Sequence, residues 1–203
     1  MASGLLAATN ASASLLNGDF SQVGPYGNGV VTNAIGASWS SAADWIQFAP
    51  EQGGSVGTYL IQNGGPSGLS NALYVTSPAP SDSAFYEDGA GIYQEIGAGL
   101  HAHAEFDLLV LQGTVTCGLY QESGPFLSFT TYSPSGDWIH ITQDDNGISG
   151  GIAFEDLYNS NAIYEVANVQ ETQQAVPEPA SVLPVAMGVG LIAVRRRRSG
   201  TKS

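Results

Sequence analysis

The sequence predicts an all-β domain, a two-sheet antiparallel β-sandwich, on three observations. Apolar and polar residues alternate over short stretches, glycine is abundant at 26 in 203 residues, and no long helix-forming run interrupts the Ser-, Thr- and Asn-rich body. Alternation sends every second side chain to one face, as half-buried strands require, while Gly and Asx residues supply the turns between them. A chain of this length is expected to hold one hydrophobic core with tails.

The clearest alternation spans 101–111, where Ala102, Ala104, Phe106, Leu108 and Val110 take one face and His101, His103, Glu105 and Asp107 the other. Gln112-Gly113 predicts a turn into 114–120, whose Val115, Cys117 and Leu119 continue the apolar face, so the two stretches read as a hairpin. A second hairpin is expected where 137–143 and 148–154 flank Asp144-Asp145-Asn146-Gly147, because Asn-Gly suits a tight turn. Further strands are expected at 45–48, 58–62, 72–76, 92–96, 126–132 and 162–169. About nine strands at this spacing favour a sandwich over a barrel. The chain divides into a leader (1–14), the sandwich (15–170), a linker (171–176) and a C-terminal tail (177–203).

Charge is distributed unevenly. The net value is -13, yet all five basic side chains lie in the tail, at Arg195, Arg196, Arg197, Arg198 and Lys202. The 18 carboxylates all precede them, so residues 1–194 alone stand near -18 with His neutral. Such a surface repels phosphate backbones, which excludes nucleic acid as a partner. Carboxylate crowding then has to be relieved by spacing, protonation or bound cations, and this makes structural calcium a candidate cofactor. The single cysteine, Cys117, excludes an intramolecular disulfide and reads as a buried, inert thiol.

Residues 180–194 form an apolar segment interrupted by Pro184 and followed at once by four arginines. As a helix it reaches roughly 22 Å, against a hydrocarbon core of about 30 Å, so it suits a transient stay in a membrane better than a permanent anchor. The arginines hold its C-terminal end on the cytoplasmic side and leave the body outside. Val176-Pro177-Glu178-Pro179, this segment and Arg195 to Arg198 together resemble the PEP-CTERM sorting signal of Gram-negative bacteria. The resemblance implies export, recognition by a membrane-embedded exosortase through Pro177, Glu178 and Pro179, removal of the tail, and delivery to the cell surface or an extracellular polysaccharide matrix. It gives an address and no chemistry. At the other end, Ala11-Ser12-Ala13 has the small-x-small form of a signal-peptide cleavage site.

Leu15-Leu16-Asn17-Gly18-Asp19-Phe20, followed by Trp39, Ala72-Leu73-Tyr74-Val75 and Ile92-Tyr93-Gln94-Glu95-Ile96, resembles jelly-roll domains of the galactose-binding-like and carbohydrate-binding-module type. That resemblance implies a jelly roll and a surface for sugars. Such domains often close on an Asp-rich last strand that helps hold calcium. Here the matching stretch is Val166-Ala167-Asn168-Val169, which lacks the acidic ligand and leaves Asp19 as a contributor.

Three constellations could carry chemistry. His101, His103, Glu105 and Asp107 share a strand face, and His-x-His can aim two imidazoles at one metal; the same pattern also describes a solvated face whose imidazoles offset negative charge. Asp144, Asp145 and Asn146 offer oxygen ligands, but the loop is too short for an EF-hand and lacks its closing Glu. Trp39, Trp45, Tyr86, Tyr93 and Trp138 offer flat faces for stacking on sugar rings, against the alternative of core packing. No phosphate-binding loop is present. The reading favoured is a non-enzymatic, surface-sorted domain associated with extracellular polysaccharide or other matrix components. Its competitors are a secreted hydrolase or metal-dependent enzyme on the same sandwich, and a self-assembling structural protein.

Overall fold

The computed structural model describes residues 15–32, 36–49, 55–77, 89–120, 126–156 and 160–175. The expected leader and the expected C-terminal tail with its apolar segment lie outside these residues. The described strands are β1 (Val30–Thr32), β2 (Gly36–Trp39), β3 (Ile46–Ala49), β4 (Val56–Ile61), β5 (Ala72–Ser77), β6 (Ala90–Gln112), β7 (Val115–Tyr120), β8 (Phe126–Tyr132), β9 (Ile139–Asp156) and β10 (Ala162–Ala175). Among the described residues the only helical turn is the 3-10 segment Pro66–Gly68, and no helix is long and apolar enough to cross a membrane.

Every ladder is antiparallel, and two sheets stack as a sandwich. The first sheet runs β1-β4-β5-β10-β6-β9, and the second runs β2-β3-β6-β9-β7-β8. Both contain β6 and β9 because these long strands bend from one layer into the other. The N-terminal part of β6 pairs β3 and the C-terminal part of β9, while its remainder pairs β10 and the start of β9. Register shifts at Glu95/Gly99 and Leu100/Ala102 mark the bend, as expected of strands that turn a sandwich corner.

This continuity corrects two expected hairpins. Asp144 and Asp145 do not form a turn, because they sit within β9 opposite His103 and Ala102. The long-range ladder to β6 overrides the local Asn-Gly preference. Gly113 does turn the chain, at φ 70°, but β7 then leaves β6 and pairs β8 and β9 in the facing sheet. The expected linker is also corrected, since β10 extends to Ala175 and Glu171 to Thr172 still pair with Ala104 and His103.

The inward residues are those the alternation predicts: Ala102, Ala104, Phe106, Leu108 and Val110 from one sheet meet Val115, Cys117, Leu119 and Phe154 from the other, all buried. Tyr164 spans the core and donates its hydroxyl to the Phe154 carbonyl at 2.9 Å. Cys117 is buried and free, and burial pushes its thiol pKa far up, in line with an inert role.

The Asn17-Gly18-Asp19-Phe20 motif closes one end of the sandwich. Asn17, at φ 48°, donates to the carbonyls of Gln22 (3.1 Å) and Ala43 (2.8 Å) and accepts from the Gln22 N–H (3.0 Å). Its own carbonyl accepts the Trp45 indole N–H at 3.3 Å. Gly18 accepts from the Val169 N–H at 2.9 Å, so close that a Cβ there would lie 1.9 Å from the Val169 carbonyl oxygen. Phe20 then enters the core against Trp45, with ring centroids 5.3 Å apart.

Candidate functional site

The outer face of the second sheet carries a band of aromatic side chains. In β3 the inward residues are Gln47 and Ala49, so Ile46 and Phe48 face out. Ladder register then aligns Trp39, Ile46, Tyr93, Ala153, Gly118 and Phe129 in one row across β2, β3, β6, β9, β7 and β8. Five inter-strand steps make the row about 24 Å long. Its two ends are open, with Trp39 43% and Phe129 54% exposed. Between them the rings of Phe48, Tyr93 and Tyr120 meet edge to face, at 5.6 Å for Phe48 with Tyr93 and 6.1 Å for Tyr93 with Tyr120.

Two carboxylates flank this row. Glu155 pairs with Gly91 and Thr116 on one side, and Glu95 pairs with Gly151 on the other. Gly91 is required where it stands, because a Cβ would lie 1.9 Å from the Phe154 carbonyl oxygen. Beyond Gly91 the next side chain in that row is Phe48. Burial raises the Glu155 carboxyl from an ordinary 4.5 to about 7. Burial first, and then the charge of Glu95, also raise the Tyr93 hydroxyl. The band thus combines flat rings with carboxylates, and the described residues include no Lys or Arg.

The stacking candidates separate by sheet and depth. Trp39 and Tyr93 belong to the band. Trp45 does not: it is fully buried between Phe20 and Phe154 and cannot meet a ligand. Trp138 directly precedes Ile139, at the start of β9 in the first sheet. Tyr86 lies outside the described residues. The first sheet also carries a shorter platform, Tyr59 beside Tyr74 at 6.4 Å. The sequence reading missed Phe48, Tyr120 and Phe129. For Tyr120 a signal existed, because its parity is opposite to that of Val115, Cys117 and Leu119.

His103 and Glu105 lie on the outer face of the first sheet, where they form an ionic cross-link. The His103 Nδ1 is 2.7 Å from Asp144 and its Nε2 is 3.0 Å from Glu105. Two carboxylate partners favour a proton on each nitrogen, whereas a metal needs a free lone pair. Hydrogen bonds, first to Glu105 and then to Asp144, raise the His103 pKa. The His101 side chain lies outside the described residues. Asp19 accepts the Ser21 N–H at 3.2 Å, and among the described residues no three His, Cys, Asp or Glu side chains converge on a metal position. The neighbouring Asp107 is held by His140 (2.9 Å) and by Asn168 (2.7 Å), while Asp156 accepts from Ser160 and Ala162. Histidines and N–H groups therefore relieve part of the carboxylate crowding.

A small pocket of about 270 Å³ between Phe20, Val23, Asn28, Leu60 and Asn71 offers less, since Asn28 is already bonded to the Leu60 backbone through both amide atoms.

No family model matches the chain, and no curated protein does. Solved structures it is similar to include family 29 carbohydrate-binding modules. One, complexed with cellulohexaose, has a TM-score of 0.43 at 13% identity, over 73% of this chain and 94% of that one. Another has a TM-score of 0.45 at 13% identity, over 72% and 90%. An arabinose-bound α-L-arabinofuranosidase has a TM-score of 0.45 at 15% identity, over 76% of this chain, which spans only 27% of that enzyme.

Proposed function

We propose that this chain is an exported surface or matrix protein whose sandwich binds extracellular polysaccharide without cleaving it. The observation that carries this reading is the aromatic row from Trp39 through Tyr93 to Phe129. Flat rings spaced along one sheet face, open at both ends, suit stacking against successive sugar rings of a chain. The flanking carboxylates offer acceptors for hydroxyl groups. Their arrangement does not suit glycoside hydrolysis: Glu95 pairs opposite Gly151 and Glu155 opposite Gly91. They stand four residues apart along the ladder, about 13 Å, outside the roughly 5 to 10 Å that acid and nucleophile or base require. Delivery rests on the tail, where Pro177-Glu178-Pro179, the apolar segment and Arg195 to Arg198 favour sorting by an exosortase with transient membrane residence.

The test is binding of the full chain, held in neutral detergent, to a polysaccharide array. Saturable binding that is lost in both Trp39→Ala and Phe129→Ala supports the reading. Absence of binding to any glycan, or binding indifferent to both substitutions, overturns it.

A further inference from the structure

We infer that the aromatic band selects cationic glycans, polymers of amino sugars carrying free amines, over neutral or acidic ones. This rests on the glycan-binding reading and deepens it. The first observation is charge complementarity. Residues 15–170 hold 16 carboxylates and no Lys or Arg, so a polyuronate or sulfated chain finds no lysine or arginine there to meet it, while a polyamine meets a predominantly acidic surface.

The second observation is local. The row presents the faces or edges of Trp39, Phe48, Tyr93, Tyr120 and Phe129, and an ammonium group is attracted to aromatic faces as a hydroxyl is not. Glu155 and Glu95 flank that row on opposite sides, so an amine seated over the Tyr93 to Ala153 segment has a carboxylate on either hand. Glu155 is half-buried in the row it shares with Gly91, Thr116 and Phe48, and the described ion pairs involve only His103 and His140, both on the other sheet. A ligand ammonium supplies a counter-charge that no Lys or Arg among the described residues provides. Burial raises the Glu155 carboxyl to about 7, and an ammonium group seated beside it would draw that value back down and favour the carboxylate.

The experiment compares oligosaccharides of equal length on the full chain at physiological salt: fully deacetylated glucosamine, fully N-acetylated glucosamine, neutral glucan and mannan, and polyuronate. The deacetylated chain is expected to bind about tenfold more tightly than the N-acetylated one, as one added cation–π or charge-assisted contact supplies. Polyuronate is expected not to bind. In the double variant E95Q/E155Q the preference for the amine should disappear, the deacetylated chain losing about tenfold more affinity than the N-acetylated one. Equal binding of amine and N-acetyl forms overturns the inference while leaving the glycan-binding reading intact. A preference that survives E95Q/E155Q also overturns it, because general polyanion attraction is then sufficient. No binding of any chain overturns both.

Discussion

His103 holds its Nδ1 2.7 Å from the carboxylate of Asp144, its partner across the β6–β9 ladder. With Glu105 at the other nitrogen, the imidazolium forms the only three-group charge cross-link among the described residues. The His103 pKa is raised by these hydrogen bonds, so the folded state holds the proton more tightly than the unfolded one. The stabilisation is full below the unfolded pKa of about 6.5 and is lost as pH rises through the folded value. Thermal melts of the wild type and His103→Gln between pH 5 and 9 should show an advantage for the wild type in acid that vanishes in alkali. His103 is 41% exposed, so solvent screening keeps the effect at about 1 kcal/mol or less and added salt should shrink it.

Glu155 makes the opposite case, a carboxyl kept at a cost to stability. Its folded pKa, raised by burial to about 7 from 4.5, lies above the unfolded one. The folded state therefore binds more protons over that window, and stability falls as pH climbs through it. Glu155→Gln should flatten this slope and melt higher than the wild type at pH 8, by at most about 3 kcal/mol at 1.36 per pKa unit. A variant no more stable than wild type at pH 8 would show that the carboxylate already has a stabilising partner.

The sorting reading makes a prediction separable from ligand identity. Produced together with an exosortase in a host that exports it, the chain should lose its tail near Pro177 to Pro179. Mass spectrometry of the surface-exposed protein checks this; an intact C-terminus ending at Ser203 would count against exosortase processing.

Periodicity made part of this structure legible. The 101–111 alternation identified which residues of β6 enter the core, because a period of two fixes the face of a strand regardless of its neighbours. It could not identify the sheet. Val115, Cys117 and Leu119 do point inward, but from the layer opposite Phe106 and Leu108, so the apparent hairpin partner was a facing surface. The Asn-Gly signal at 146–147 failed for a related reason: β9 is held by a ladder to residues some forty positions earlier. The aromatic band was least accessible, since residues 39, 46, 93, 129 and 153 become neighbours only through register across six strands.

Gly18 and Asn17 explain the opening motif without a ligand. Gly18 lets the N-terminal segment approach β10, and Gly18→Ala places a Cβ 1.9 Å from the Val169 carbonyl oxygen, so backbone must move. A loss of about 2 kcal/mol or more is expected by chemical denaturation, independent of calcium. Calcium that restores the variant's stability would return a metal to this corner.

The two tryptophans six residues apart give the sharpest test of the site. Trp45 is fully buried, packs on Phe20 at 5.3 Å and Phe154 at 6.1 Å, and donates to the Asn17 carbonyl. Trp39 stands 43% exposed on the outer face of β2. Trp45→Ala should cost about 3 to 5 kcal/mol through the cavity it leaves, reducing folded protein and with it all binding in proportion. Trp39→Ala should change stability by less than about 1 kcal/mol, because little packing is lost at a half-open edge. Any loss of glycan binding in that variant is then a loss of contact and not of fold. Denaturant midpoints measured beside binding isotherms separate the two. If Trp39→Ala binds polysaccharide as the wild type does while Tyr59→Ala or Trp138→Ala does not, the binding face is the outer surface of the first sheet.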